Sequence, residues 1–334
     1  MVTRKGTVLL MAKPFFPWMG NKEKLVPYIH QLIPPHVKQF TEVFGGSGAV
    51  ILGLQPKKGR LDIYNDLNDD LFNVFCCVKE KSFSLAKELK FLPVHGRTPF
   101  AFYRDMAAHE PDFYRHIEEE KRVVAESTCF TEEEIRELLT ILDGNAKFFD
   151  VRRAAAFLFT TYGSFSGTGN SVGIKTVDPQ AIVDKLPQVS RRLDSVFLEH
   201  QDALVLIPKE DRPDGIIYAD PPYMLTEKVY DVRFLPEHHI VLHDRASSCK
   251  GYVIISYGYD DRIIDLYKDD FFIISLKRTN PLSQTEGSTF RELIITNYDP
   301  SPYLNKQLDI FGQATEAMWE PVILHRPRRI LKAD

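Results

Sequence analysis

The run Gly215-Ile216-Ile217-Tyr218-Ala219 stops at Asp220-Pro221-Pro222-Tyr223. A short, apolar, β-branched segment bounded by Pro, Asp and Gly reads as a buried strand. Neither proline can donate a backbone hydrogen bond, so the ladder ends there. Asp220 therefore stands at the carboxyl end of a central strand, which is where ligands bind in open α/β sheets. An acid, a rigid turn carbonyl and an aromatic ring are presented together at that point. Asp220 and the Pro221 carbonyl can accept hydrogen bonds from the amino group of a flat heteroaromatic base, and Tyr223 can stack on it. The plain alternative is an ordinary strand exit with a solvated Asp.

A second strand–loop junction lies upstream. Gln39 to Phe44 reads as a strand, Gly45-Gly46-Ser47-Gly48 as a loop, and Ala49 onward as a helix. The spacing Phe44-Gly45-x-x-Gly48 is neither G-x-G-x-x-G nor a Gly-Lys-Ser/Thr loop, so a general nucleoside-cofactor site fits better than a dinucleotide or P-loop site. A further strand, Arg60 to Asp66, ends on an acid about 20 residues beyond the glycine loop, the place of the ribose-binding acid in doubly wound folds. Asp66 could instead cap a helix, as could the neighbouring Leu67-Asn68-Asp69 stretch. Trp18, Gly20 and Lys22 precede a helix over Leu25–Ile33 that Pro34-Pro35 end. A glycine there permits close backbone approach, and Lys22 adds a cation. Asp202 reads either as an acceptor for a cofactor base or as an N-cap.

Between these motifs the chain changes character. Residues 70–150 carry helical patterns over 71–78, 83–92, 100–109 and 131–142, with acidic runs at Glu118–Glu120 and Glu132–Glu134 that read as solvated faces. Thr131-x-x-Glu134 is a capping box. This stretch reads as an insertion into the sheet. A helix over 152–161 runs into 162–176, where four glycines alternate with aromatics and hydroxyls, as in a loop that enters a groove. One helix is expected over 178–193, a strand and turn over 194–204, a helix over 235–248, a strand over 251–257, and a terminal antiparallel pair over 271–277 and 291–298. The tail from Pro300 reads as irregular. Its basic end (Arg326, Arg328, Arg329, Lys332) either contacts phosphate or is simply solvated. His239 and His243 stand i, i+4, but no Glu lies between them and no third ligand is evident, so no metal is expected.

Composition narrows the classes. Of 334 residues, 44% are hydrophobic and 26% charged, as in ordinary globular proteins. No apolar run reaches the roughly 18 residues of a membrane span. Residues 1–10 are too weakly apolar for a signal peptide and read as a dispensable extension. The four cysteines form no C-x-x-C pair, which disfavours zinc and disulfide frameworks and fits a reduced cytoplasm. A net charge of −4 argues against a uniformly basic surface but leaves room for a local basic cleft.

In this order, Pro17-Trp18-x-Gly20-x-Lys22, Glu42-x-Phe44-x-Gly46-x-Gly48, Tyr64-Asn65-Asp66 and Asp220-Pro221-Pro222-Tyr223 resemble the Dam-like (D12 class) N6-adenine-specific DNA methyltransferases. The combination is specific and covers roughly 12–70 and 150–300. The resemblance implies an α/β fold: a Rossmann-like, S-adenosylmethionine-dependent methyltransferase sheet with an inserted, mainly helical recognition domain. The catalytic domain would comprise 12–72 and 151–300. The target-recognition domain would be 73–150, aided by loop 162–176, and 301–334 would be a tail. S-adenosylmethionine would be held by Trp18, Lys22, Phe44, Gly45, Gly46, Ser47, Gly48, Asp66, Asp202 and Asp220. Asp220, Pro221, Pro222 and Tyr223 would grip a flipped adenine. Double-stranded DNA would be the partner of a monomer without membrane attachment, with a cognate restriction endonuclease as a further partner. Loop 162–176 carries Lys175 where well-known GATC readers carry arginines, so the recognised sequence is left open and reading arginines are expected in the insert, for instance Arg97 or Arg104. Cytosine N4 or RNA remains open as substrate, as does a DNA-binding relative without activity.

Overall fold

The computed structural model describes residues 11–91, 104, 110–147, 149–164, 178–223, 234–279, 289–304 and 320–327. Eight strands occur among them: β1 (Gln39–Glu42), β2 (Leu61–Asn65), β3 (Val196–Glu199), β4 (Gly215–Ala219), β5 (Tyr252–Gly258), β6 (Phe272–Thr279), β7 (Thr289–Thr296) and β8 (Glu320–His325). The chain divides into two units, one of Met1–Asn21 and Asn68–His200, the other of Lys22–Leu67 and Gln201–Asp334.

The second unit is the α/β sheet, ordered β2-β1-β4-β5-β7-β6-β8. The first four strands are parallel, with Glu42 opposite both Tyr64 and Tyr218 and with Tyr218 opposite Ile254. β4 is buried along its whole length and has parallel neighbours on both sides. That is why it reads as a continuous apolar run and not as an alternating one. β7 pairs antiparallel with β5 and with β6, the expected terminal pair. A core on one side of this sheet is built from residues such as Ile217, Val253, Ile255, Leu293 and Ile295, and the helix Pro236–Ser248 adds Leu242 and Ala246.

Two expectations about strands are corrected. The tail is not wholly irregular: Ser301–Leu304 is a helical turn, and β8 pairs antiparallel with β6. An edge strand offers a row of unpaired backbone groups to a returning segment, and β8 meets it with the run Val322-Ile323-Leu324, of which Val322 and Leu324 stay exposed. Pro321 is tolerated there because β8 is itself at an edge. Of the strand and turn expected over 194–204, the strand is Val196–Glu199, and Ala203 and Leu204 instead open the helix Ala203–Glu210, whose N-cap is Asp202. Ala203, Leu206 and Ile207 bury one face of that helix. A further short helix, Asp261–Tyr267, starts from the Asp260 cap.

The first unit is mainly helical. Asn68 caps Asp69–Glu80 by accepting from the Leu71 N–H at 2.9 Å. Asp150 caps Val151–Gly163 through the N–H groups of Arg152 and Arg153. Asn73 clasps the start of the second helix, donating to the Asp150 carbonyl at 2.9 Å and accepting from its N–H at 2.8 Å. Phe15, Phe16, Phe75 and Phe157 pack edge to face around these helices. The acidic runs at 118–120 and 132–134 are exposed. The capping box forms, with Thr131 N–H donating to Glu134 at 2.8 Å and Glu134 N–H donating back to Thr131 Oγ1 at 3.3 Å. The hydrogen bonds from Thr131 hold the Glu134 carboxyl below its ordinary range.

The single helix expected over 178–193 is two, Pro179–Val183 and Leu186–Leu193. Pro187 has no N–H to return to Val183 and its ring would crowd that carbonyl, so the chain breaks and restarts with proline in the first turn. Residues 165–177, Arg97 and most of 100–109 lie outside the described residues. Arg104 is helical and exposed. Among the described residues no helix is long and apolar enough to cross a membrane.

Candidate active site

β1 and β4 are neighbours, but the chain leaving β1 crosses to β2 on one side and the chain leaving β4 crosses to β5 on the other. Such a reversal opens a crevice at the carboxyl ends of the two strands. The segments at those ends are the glycine loop after β1 and Asp220–Tyr223 after β4.

The glycine loop is shaped by its neighbours on β2. Gly46 and Gly48 have φ of 50° and 66°, in the left-handed region that favours glycine. A Cβ on Gly45 would stand 2.1 Å from the Tyr64 ring, which is itself fully buried. Gly45 N–H donates to the Asn65 carbonyl, and Tyr64 Oη donates to the Gly46 carbonyl, each at 2.8 Å. Gly46 N–H donates to Asp66 Oδ2 at 2.8 Å. Asp66 thus holds the loop, and the helix that follows takes its cap from Asn68. Ser47 is buried, and Phe44 is partly buried with its ring edge-on to Phe234 at 5.4 Å.

Two residues outside the expected site complete this corner. Glu42 is buried and accepts from Ile51 N–H at 2.9 Å, fixing the start of the helix after the loop. The Asn65 amide donates to the Val43 carbonyl at 2.8 Å and to the Gln201 carbonyl at 3.0 Å, and accepts from Gln201 N–H at 2.9 Å. It therefore ties the end of β1 to the residue before Asp202. Asp202 is exposed and accepts from Leu204 N–H at 2.7 Å, which is the cap geometry.

At the end of β4, Asp220 Oδ2 lies 2.7 Å from Lys22 Nζ, with side-chain exposures of 18% and 7%. Ser256 Oγ donates to Asp220 Oδ1 at 2.9 Å. Burial pushes the Asp220 carboxyl above its ordinary range, and the Lys22 cation and the hydrogen bonds from Lys22 and Ser256 oppose that shift. The same Lys22 Nζ stands 5.0 Å from the centre of the Tyr223 ring, a cation–π distance.

Tyr223 is held from three sides. Its hydroxyl donates to Glu292 on β7 at 3.0 Å. Its ring lies 6.1 Å from that of Tyr257. A Cβ on Gly258 would stand 2.9 Å from its ring edge, so glycine is needed there for the ring to lie where it does. Behind Tyr257, His239 Nδ1 is 2.8 Å from the Tyr257 hydroxyl, and burial pulls the imidazole down to about 4. Ordinary solution pH therefore leaves that ring neutral.

The second unit thus brings together Lys22, Phe44–Gly48, Asp66, Asp202 and Asp220–Tyr223. Trp18 belongs to the first unit, where it is tilted against Phe157 at 6.0 Å and edge-on to Phe16 at 6.1 Å. Ser256 and Glu292 were missed from the sequence. Each had a readable signal, a lone hydroxyl inside Val253-Ile-Ile-Ser-Tyr257 and an acid beside Leu293-Ile-Ile295, because buried polar groups need partners. What they meet is set by strand register, which the sequence does not display.

The D12 class N6 adenine-specific DNA methyltransferase family matches residues 18–281. The chain belongs to this family. The match spans both motif-bearing segments of the site. Two curated relatives agree with it. The type II methyltransferase M1.LlaDCHI of Lactococcus lactis subsp. cremoris is 25% identical over an alignment of 309 residues that covers 86% of this chain and 95% of that protein. The type II methyltransferase M.MjaIII of Methanocaldococcus jannaschii is 23% identical over an alignment of 318 residues that covers 86% of this chain and 99% of that one. Membership of the family makes the chain a DNA methyltransferase, and Asp220–Tyr223 stands inside the matched span.

Proposed function

We propose that the protein transfers a methyl group from S-adenosylmethionine to N6 of an adenine flipped out of double-stranded DNA. The observation that carries this reading is the convergence of a stapled glycine loop, a ribose-height acid and Asp-Pro-Pro-Tyr at one topological switch point. The donor set suits S-adenosylmethionine: Asp66 for its ribose, the Phe44–Gly48 backbone and Asp202 beside it, and Lys22 next to Asp220. The cofactor supplies an electrophilic methyl group on a sulfonium.

This chain's own residues do the rest. Tyr223, its ring fixed by Glu292 and Gly258, stacks on the extruded base and offsets part of the unstacking cost of a few kcal/mol. Asp220 and the Pro221 carbonyl accept hydrogen bonds from the exocyclic amino group, and Pro222 keeps the turn rigid. The N6 lone pair is delocalised into the ring in the ground state. Two acceptors favour a tetrahedral nitrogen and free that lone pair for in-line attack, so positioning and electrostatics supply the catalysis without an enzyme nucleophile. Incubation with defined duplexes and labelled cofactor, followed by identification of the modified nucleoside, tests the reading. N6-methyladenine is expected, and N4-methylcytosine or modification of RNA alone would replace it.

Asp66→Ala is expected to weaken S-adenosylmethionine binding far more than DNA binding. A carboxylate that bonds a ribose contributes roughly 1.5–3 kcal/mol per bond, and its loss also releases Gly46 N–H. Calorimetric titration with each ligand in turn would show equal losses if Asp66 served only the fold.

We assign sequence reading to 73–150 together with loop 162–176. The described residues of 73–150 are helices and their connections, not sheet strands, and the segment interrupts the chain between the cofactor acid and the base-gripping motif. The loop lacks the arginine that a bidentate guanine contact needs, so such contacts fall to the insert, Arg97 and Arg104 being examples. Exchanging 73–176 for the matching part of a relative with a different target should transfer that target. An active chimaera that keeps the original site would end this assignment. Membership of a restriction–modification system, with a companion endonuclease, fits the names of the two relatives.

A further inference from the structure

We propose that Ser256, backed by Tyr218, is a positioning residue that holds the Asp220 carboxylate in its accepting orientation during methyl transfer. The inference rests on the reading of Asp220 as the acceptor for the target amino group.

Tyr218 and Asp220 are two residues apart at the end of β4, so their side chains share a face, and Ser256 lies on the adjacent strand β5. Tyr218 Oη and Ser256 Oγ are 2.8 Å apart, and Ser256 Oγ is 2.9 Å from Asp220 Oδ1. The directions follow from counting hydrogens. A carboxylate has none to give, so Ser256 spends its single hydroxyl hydrogen on Asp220. Tyr218 must then donate to Ser256. The result is a chain of two hydroxyls polarised toward the acid, and both Tyr218 and Ser256 are fully buried. Hydrogen bonds in series strengthen one another where water is excluded.

This geometry has a consequence for Asp220. Its two oxygens are addressed by different elements: Oδ1 by β5 through Ser256, and Oδ2 by Lys22. Lys22 is on a side chain with several rotatable bonds, whereas Ser256 is on a buried strand. The strand contact is the rigid one, and it sets the carboxylate plane against the Pro221 turn. The groups that face this acid are Lys22, Ser256, Tyr218, Tyr223 and Tyr257, with Glu292 beyond the Tyr223 hydroxyl. Among these, Lys22 and Ser256 favour the ionised carboxyl. Losing the Ser256 hydroxyl leaves burial less opposed, so the carboxyl stays protonated to higher pH.

The test measures kcat, both KM values and the pH–rate profile for wild type, Ser256→Ala, Ser256→Thr and Tyr218→Phe on a methylatable duplex. Ser256→Ala should lower kcat about tenfold to a hundredfold, the worth of one hydrogen bond to a charged group. Both KM values should hold, and the acid limb of the profile should move to higher pH. Tyr218→Phe should move kcat and the acid limb in the same directions by less, and Ser256→Thr, which keeps the hydroxyl, should restore much of the rate. Wild-type kcat and an unmoved acid limb in Ser256→Ala would overturn the proposal. So would a loss in Ser256→Ala that appears in both KM values with no movement of the limb, which marks a structural role. If Ser256→Ala does not fold, an unchanged profile in Tyr218→Phe overturns it. Absence of methyl transfer by the wild type would instead count against the underlying reading of Asp220.

Discussion

Asp220→Ala is expected to abolish methyl transfer in a protein that still folds. The sheet does not need this side chain: β4 ends at Ala219, and the ladder to β1 and β5 is complete without it. What is lost is a pre-oriented acceptor at the reacting nitrogen. Removing one group of this kind costs roughly 10²–10³ in rate, and the loss should appear in kcat with DNA and cofactor binding largely retained. The substitution also leaves Lys22 and Ser256 without their shared partner, so some destabilisation will accompany it. Circular dichroism and a cofactor-binding measurement separate that from unfolding. Wild-type turnover by the variant would remove Asp220 from the mechanism.

The second large effect is expected at Lys22. Its ammonium is nine-tenths covered and 2.7 Å from Asp220. Breaking a buried pair from one side costs about 3–5 kcal/mol, because the remaining charge is left without compensation. Lys22→Met keeps the length and apolar stem but removes the cation. The sign of the pH dependence follows from the Asp220 carboxyl, already raised above its unfolded value by burial. A carboxyl raised on folding favours the folded state at low pH, and that contribution is lost as pH rises through the folded value. Without Lys22 the shift grows. The variant should therefore be most destabilised relative to wild type near neutral pH, and the gap should narrow on acidification. Denaturant unfolding at a series of pH values reads this directly. A gap that widens toward acid would mean that the pair does not govern Asp220. Activity should fall as well, with its acid limb at higher pH, since the carboxyl must be ionised to accept from the amino group.

The sequence by itself determined the parts whose cause is local. Ile216-Ile217-Tyr218 followed by two prolines could only be a buried strand with an abrupt end, and it is β4. Gly45-Gly46-Ser47-Gly48 reads as a loop between strand and helix, and it is one, with positive φ at Gly46 and Gly48. Thr131 and Glu134 form the capping box that their spacing implies. The four motifs and their order were enough to indicate the family that the match over 18–281 then established.

Tertiary structure decided everything that depends on which distant residues become neighbours. Whether Asp66 caps a helix or grips the glycine loop cannot be read from a window of sequence, because Asn68 stands two residues away and is equally able to cap. Their bonds distribute the roles. Asp202 was likewise ambiguous, and its Oδ1 makes the cap bond to Leu204 N–H alongside the cofactor role proposed for it. In the tail, Val322-Ile323-Leu324 is a short apolar run behind Pro321, and only its pairing with β6 makes it an edge strand. Ser256 and Glu292 act on Asp220 and Tyr223 across strands separated by tens of residues in the chain. Register, a property of paired strands and not of either strand alone, brings them there.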